Sequence, residues 1–181
     1  EPESEAEPSY IFQDTLDNYG EIISSASENL KVAVDGWIEN SVAATNVYGD
    51  ISEWNTSNVT DMATLFQNKE TFNENISNWD TSNVTNMRGM FKNAFLFDGI
   101  LNNWDVSKVE NMNYMFQNAL VFNRSLNKWN TRNVTTMISM FNGASTFNKP
   151  LISASWIVSQ VVSFTNFAKN SGLETENIPV L

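Results

Sequence analysis

Residues 76–98 read ISNWDTSNVTNMRGMFKNAFLFD, and close copies of this stretch begin at residues 51, 101 and 126. The copies carry their tryptophans at a constant spacing of 25 residues, at Trp54, Trp79, Trp104 and Trp129. A fixed period of about 20–50 residues is typical of stacked structural units, because a single unit cannot bury its own apolar face. The sequence therefore predicts a repeat solenoid.

Each copy repeats seven apolar columns, which begin with Ile or Leu, continue through Trp, Val and Met, and end in Phe. In the second copy Met87, Met90, Phe91 and Ala94 follow the spacing i, i+3, i+4, i+7. This spacing predicts a short helix. Residues 76–80 are the expected short strand, which would pair in parallel with the next repeat about 4.8 Å away.

The chain divides into an array and its ends. Leu30, Val34 and Trp37 predict a helix that packs on the open end of the first repeat, and a two-residue insertion precedes Trp156 in a fifth, degenerate copy. Terminal repeats are atypical because one of their faces meets water. We therefore predict an acidic N-terminal tail, a helical N-terminal cap, four repeats, a degenerate capping repeat and a C-terminal tail, over residues 1–13, 14–50, 51–150, 151–173 and 174–181.

Composition restricts the chemistry. The net charge is −11, and residues 1–30 contain eight acids and no base. Negative charge repels phosphate backbones, and no apolar run approaches the roughly 20 residues of a membrane span. The chain has no Cys and no His, which removes thiolate nucleophiles, ordinary zinc sites and the commonest general base. We expect no nucleic-acid partner, no membrane insertion and no metal site.

The pattern W-[ND]-[TV]-S-x-V-x-x-M-x-x-[ML]-F-x-N-A-x-x-F-N resembles the 25-residue repeat of BspA-type surface proteins. The resemblance covers roughly residues 30–173, with small departures at Lys69, Glu70 and Arg132. It implies a leucine-rich-repeat-like solenoid that is secreted or held at a cell surface. It also implies an adhesion or protein-binding role, without a cofactor or catalytic residues.

Our main functional hypothesis is an extracellular or cell-surface module that binds a protein partner without catalysis. Solenoids present long surfaces, and their variable positions are where a partner would bind. The variable positions selected as a partner surface are Arg88, Lys92, Asn113, Tyr114, Arg124, Lys128 and Arg132.

Two other hypotheses stay open. The chain could be a structural subunit that assembles into a filament through its ends and through Tyr10, Ile11 and Phe12, since a head-to-tail contact that does not close gives a filament. More distantly, Asp80 and Asp105 occupy the same column of neighbouring repeats, as the two carboxylates of a glycan-processing enzyme would.

The Asn-rich repeat raises two further questions. N-x-[ST] triplets, which are glycan acceptors in a secreted eukaryotic chain, begin at Asn55, Asn58, Asn75, Asn83, Asn123 and Asn133. The column that contains Asp80 and Asp105 offers oxygen ligands suited to Ca²⁺, but its spacing matches no EF-hand loop. We interpret this column as turn residues that cap backbone amides.

Overall fold

A computed structural model describes residues 27–179 of the chain. Helix α1 spans Ser27–Glu39 and helix α2 spans Ser41–Tyr48. Short 3₁₀ helices span Ile51–Glu53 and Thr175–Asn177. Asn40 is the N-cap residue of α2, and its side-chain oxygen accepts a hydrogen bond from the backbone N–H of Ala43 at 3.0 Å. Both α-helices precede the array.

The prediction of a leucine-rich-repeat-like solenoid, with short parallel strands and a short helix in every 25-residue coil, is wrong. Between residues 27 and 179 the structure contains no β-strand, and its two α-helices both lie outside the repeats. Neighbouring repeats are joined instead by isolated parallel bridges, such as Asp61 with Asn86 and Asn86 with Asn111. Each repeat is a succession of turns that stacks in register on the next.

The hydrogen bonds explain why neither element forms. The N–H of Met62 donates to the carbonyl of Asn86 at 2.9 Å, and that of Thr64 donates to the carbonyl of Arg88 at 2.8 Å. Other N–H groups close tight turns within the repeat, as where the Gln67 N–H donates to the Thr64 carbonyl at 3.0 Å. An α-helix needs each N–H for the carbonyl four residues earlier. Because some backbone N–H groups bond within a turn and others bond to the next repeat, neither an α-helix nor a continuous β-strand forms.

The burial predicted from helical spacing is nevertheless present. Met87, Met90, Phe91 and Ala94 have no exposed surface. Successive turns place these side chains inside because each tight turn reverses the chain every few residues. The spacing therefore identified the buried residues correctly and the backbone conformation wrongly.

Stacked aromatic rings fill the core. Phe91 lies over Phe66 and under Phe116, with ring centroids 5.4 Å and 5.5 Å apart. Within the same repeat Phe91 also stacks on Phe97 at 4.0 Å. Such offset pairs add stability beyond the area that they bury. Because the rings of the four repeats stack on their equivalents in the neighbouring repeats, the core is shared along the array.

The tryptophan column connects side chains to the backbone. The indole N–H of Trp104 donates to the carbonyl of Ile76 at 3.1 Å, and that of Trp129 donates to the carbonyl of Leu101 at 2.9 Å. Trp79 makes the same bond to Ile51 at 2.8 Å. Each indole thus satisfies a buried carbonyl of the preceding repeat, which an isolated repeat could not do.

Helix α1 packs against the first repeat. Leu30, Ala33 and Val34 are fully buried, and Trp37 meets Trp54 edge-on with ring centroids 5.8 Å apart. On the rim of this contact Asp35 accepts from Lys69 and from Lys31, at 2.8 Å and 3.1 Å. Partial burial alone would raise the pKa of Asp35, but the hydrogen bonds and charges of the two lysines outweigh it and lower that pKa.

Replacing Trp104 separates ring packing from the indole hydrogen bond. Trp104→Ala is expected to lower the free energy of unfolding by about 3–5 kcal/mol. Trp104→Phe keeps a ring but leaves the Ile76 carbonyl without its donor, and we expect a loss of about 1–3 kcal/mol. Urea unfolding measures both losses. Leu96→Ala, at a side chain 51% exposed, is the control and should cost under about 0.5 kcal/mol. A loss below about 1 kcal/mol for Trp104→Ala would contradict the core assignment.

The Asp35 ion pairs predict a pH-dependent contribution to stability. Because the folded-state pKa is lowered, the contribution is present above the unfolded-state value near 3.8 and is lost as the pH falls through the folded-state pKa. Asp35 is 43% exposed, so screening limits the effect of Asp35→Asn to about 0–1 kcal/mol at neutral pH. Thermal unfolding from pH 7 downward should show the two proteins converge. Glu74→Gln, which removes an exposed acid outside the ion pairs of the described residues, should show no such convergence.

Candidate interaction surface

The acidic column of the repeats caps turns. One carboxylate oxygen of Asp80 accepts from the backbone N–H of Ser82 at 2.9 Å, and Asp105 accepts from Ser107 in the same way at 2.9 Å. Asn55 occupies the equivalent position in the first repeat and accepts from Ser57 at 3.1 Å. Both kinds of side chain serve the same turn, which confirms their interpretation as capping residues.

This geometry also bears on catalysis and metal binding. Hydrogen bonds from the Ser82 hydroxyl and N–H lower the pKa of Asp80, whereas a general acid requires a raised pKa. Over the described part of the chain, no group of three or more acidic, His or Cys side chains is placed to hold a metal ion. The side chains of this acidic column therefore cap a turn in the first, second and third repeats.

Amide ladders connect the repeats on the outside. Asn93 donates its side-chain N–H to Asn68 at 2.7 Å, and Asn118 donates to Asn93 at 2.9 Å. A second ladder uses side-chain oxygens, as where Asp98 accepts from the backbone N–H of Asn123 at 3.0 Å. These columns stabilise the stacking of the repeats and leave fewer polar groups for a partner.

The candidate glycosylation sites fall into two structural groups. The side-chain amide nitrogens of Asn83 and Asn133 donate to the carbonyls of Ser57 and Ser107, at 2.8 Å and 2.6 Å. In Asn55 and Asn75 only the side-chain oxygen is used, and it accepts from the serine two residues later. Asn58 is exposed and Asn123 is half-buried. A glycan would be attached through the amide nitrogen, and in Asn55 and Asn75 this nitrogen donates no hydrogen bond among the described residues.

Three of the seven residues predicted as a partner surface lie together. The guanidinium carbon of Arg88 and the ammonium nitrogen of Lys92 each lie 5.4 Å from the ring centroid of Tyr114. Tyr114 belongs to the third repeat and the two cations to the second. We call Arg88, Lys92 and Tyr114 the cation–tyrosine cluster. Cations at this distance from a ring are attracted by its electron-rich face.

The other four residues of the predicted surface have separate structural contacts. Arg124 forms an ion pair with Asp98 at 2.8 Å. Lys128 donates to the Asn103 side chain at 3.0 Å, and Arg132 donates to Asn130 at 3.2 Å. The side-chain oxygen of Asn113 accepts from Thr136 at 2.6 Å and from Ile138 at 2.7 Å. The structure therefore does not gather all seven residues into one site.

Tyr114 occupies an unusual backbone conformation. Its φ is 61°, and the equivalent residues Thr64, Gly89 and Ser139 also have positive φ, at 60°, 61° and 51°. Residues with a Cβ are strained in this region, by about 1–2 kcal/mol. Glycine would avoid the strain, as Gly89 does. Because all four repeats have this conformation, it is a feature of the repeat architecture in which Tyr114 carries the largest side chain.

Sequence analysis missed an exposed apolar patch on the second and third repeats. Leu96, Leu120 and Val121 are 51%, 40% and 39% exposed. The N–H of Val121 donates to the carbonyl of Phe95 at 3.3 Å, which holds the two repeats in register here. We call Leu96, Leu120 and Val121 the apolar patch. The equivalent residues of the outer repeats are polar, and they are Glu70, Thr71, Ser145 and Thr146. This contrast between repeats was the signal available in the sequence.

Two other regions give less support for an interaction site. A groove between α1 and α2 is lined mainly by small and apolar residues, with Glu39 and Asn40 at its polar side. Tyr10, Ile11 and Phe12, the predicted self-assembly segment, lie outside the described residues. No helix in the described part of the chain has the length and apolar character needed to cross a membrane.

Comparison with known proteins gives one match. A family model described as "Mycoplasma protein of unknown function, DUF285" matches residues 38–156 and 97–178. Searches of curated proteins and of solved structures found no match. The two overlapping matches together extend from the end of α1 through the degenerate fifth repeat.

The backbone conformations of Gly89 and Gly36 predict opposite effects on stability when each glycine is replaced by alanine. Gly89→Ala introduces a Cβ at φ 61° with only ordinary contacts, so backbone strain alone should cost about 1 kcal/mol. Gly36 lies within α1 with open space around its Cβ position, so Gly36→Ala should stabilise by about 0.5–1 kcal/mol. Chemical denaturation of the two variants and the wild type measures both changes. Equal effects at the two sites would contradict the backbone argument.

Proposed function

We propose that this chain, which belongs to the family described as "Mycoplasma protein of unknown function, DUF285", is a surface repeat module that binds a protein partner without catalysis. The location that we propose is the cell surface or the extracellular space. The finer relation that we propose is with the BspA-type repeats, whose motif the array resembles.

The observation that carries the proposal is the apolar patch. Leu96, Leu120 and Val121 are exposed in the two central repeats, while the same columns are polar in the first and fourth repeats. Exposed apolar side chains that adjoin one another and are bordered by polar residues are typical of protein–protein interfaces. Because the backbone around them is stacked in register, the three side chains form a preorganised surface, which lowers the entropic cost of binding.

The polar surroundings of the patch agree with a protein ligand. Asp98 and Arg124 form an ion pair at 2.8 Å two to three residues from the patch along their repeats. Interfaces of this type combine an apolar centre with a polar rim that sets orientation. The turn-capping roles of Asp80 and Asp105 support the non-catalytic part of the proposal, because those carboxylates already serve the fold.

Restoring the outer repeats' residue types in the central repeats tests the proposal. The triple variant Leu96→Thr, Leu120→Ser, Val121→Thr gives the patch the character that Ser145 and Thr146 have in the fourth repeat. Binding to a panel of purified extracellular-matrix and cell-surface proteins is measured by interferometry. We expect saturable binding to at least one protein, weakened roughly tenfold or more in the triple variant because the apolar centre of an interface dominates affinity.

Thr71→Ser with Thr146→Ser is the matched control, since it alters the same column in the outer repeats and should leave binding unchanged. A membrane-impermeant label applied to intact producing cells checks the location. The proposal fails if no panel protein binds saturably, or if the triple variant binds as tightly as the wild type. Failure of the protein to take up the label would overturn the proposed location alone.

A further inference from the structure

The cation–tyrosine cluster has an unbalanced positive charge. Arg88 and Lys92 both face the ring of Tyr114 at 5.4 Å, and neither takes part in any of the ion pairs formed among the described residues. Asp61 lies one repeat earlier, and its bridge partner Asn86 is two residues from Arg88. The two carboxylate oxygens of Asp61 already accept from Ala63 and Asn86, at 2.7 Å and 3.1 Å. The fold thus brings two cations together without supplying an anion.

The cluster has the composition of a carboxylate-binding site. A guanidinium and an ammonium group donate strong, charge-assisted hydrogen bonds to carboxylates. Both cations lie 5.4 Å from the ring centroid of Tyr114, and the backbone at Tyr114 has the left-handed conformation, φ 61°, that recurs at this position of every repeat. A preorganised pair of cations loses little entropy when a carboxylate binds.

The chain itself contains the complementary charge. Residues 1–26 include seven acids and no Lys or Arg, whereas all ten basic residues of the chain lie between residues 27 and 181. The acids of this segment are Glu1, Glu3, Glu5, Glu7, Asp14, Asp17 and Glu21. Most of the net charge of −11 therefore lies in a segment without any internal partner of opposite sign.

The start of the described chain contacts the repeat next to the two cations of the cluster. The hydroxyl oxygen of Ser27 accepts from the N–H of Asp61 at 2.9 Å, and Asp61 forms the parallel bridge with Asn86. Asn86 is two residues from Arg88. Neighbouring bridged backbones lie about 4.8 Å apart and an extended chain spans about 3.3 Å per residue. Glu21 and Asp17, six and ten residues before Ser27, are thus within reach of the cluster.

We propose that carboxylates of residues 1–26 bind the cation–tyrosine cluster of the same chain. The short connection gives these carboxylates a high effective concentration at the cluster, which favours binding within one chain over binding between chains. The site therefore takes acidic peptide segments as its ligand class, and the N-terminal segment competes there with any other acidic ligand. The apolar patch plays no part in this contact, so either proposal can fail alone.

Zero-length carbodiimide cross-linking tests the contact, because it joins a lysine only to a carboxylate that touches it. The full-length protein is treated at low concentration and the monomer fraction is analysed by mass spectrometry. We expect Lys92 to be joined to acids of residues 1–26 in at least fivefold higher yield than Lys128. Lys128 is a demanding control because it is more exposed than Lys92 and bonds to the neutral side chain of Asn103.

Two manipulations establish that charge drives the contact. Arg88→Gln removes one cation and keeps Lys92 as the reporter, and we expect the Lys92 cross-links to fall severalfold. Sodium chloride at about 0.5 M should reduce them in the wild type as well, since screening shortens the reach of exposed charges. The salt experiment needs no variant, so it stands even if Arg88→Gln folds poorly.

Three results would overturn the proposal. The first is a yield at Lys92 no greater than at Lys128. The second is a Lys92 yield that is unchanged by salt. The third is a mixture of isotopically light and heavy protein in which the Lys92 cross-links join different chains, which would indicate a second copy as the occupant.

Discussion

The structure depends on how each repeat divides its backbone N–H groups. Some donors close tight turns inside the repeat, and the donors between them bond to carbonyls of the next repeat, as Met62 does with Asn86. Because a buried backbone polar group without a partner is costly, a repeat has no stable arrangement without a neighbour. The same division keeps the phenylalanine and tryptophan columns in register, since rings stack only when equivalent residues face one another.

Much of the core could be read from the sequence. The period placed Trp, Val, Met and Phe in columns, and the structure buries them, with Trp104 3% and Phe116 0% exposed. The backbone could not be read in this way. Burial of Met87, Met90 and Phe91 fits a helix, but it also fits successive turns. The deciding facts are left-handed conformations at Thr64 and Asn68 and bonds to residues 24 positions later. Propensity arguments do not predict such long-range bonds.

The interaction surface, too, could be predicted from the sequence only in part. Variable positions suggested seven residues as a partner surface, but ring contacts join only Arg88 and Lys92 to Tyr114. Predicting these contacts requires knowing which columns adjoin across two repeats. Sequence reasoning gave charged residues more weight than apolar ones and so passed over Leu96 and Val121. Comparing each surface column along the array would have found them, since Thr71 and Thr146 flank them in the same column.

The constant register has a genetic consequence. Bridges join Asp61, Asn86, Asn111 and Thr136 at intervals of 25 residues, and every interior repeat contacts its neighbours through the same columns. Deleting or duplicating one whole unit of the gene would therefore join surfaces that already fit each other. Deleting or duplicating part of a unit would break this match. The last bridge, from Thr136 to Ser163, spans 27 residues, so the terminal unit accepts an irregular length. Such a gene can change the length of its array by recombination between repeats while both ends of the protein stay the same.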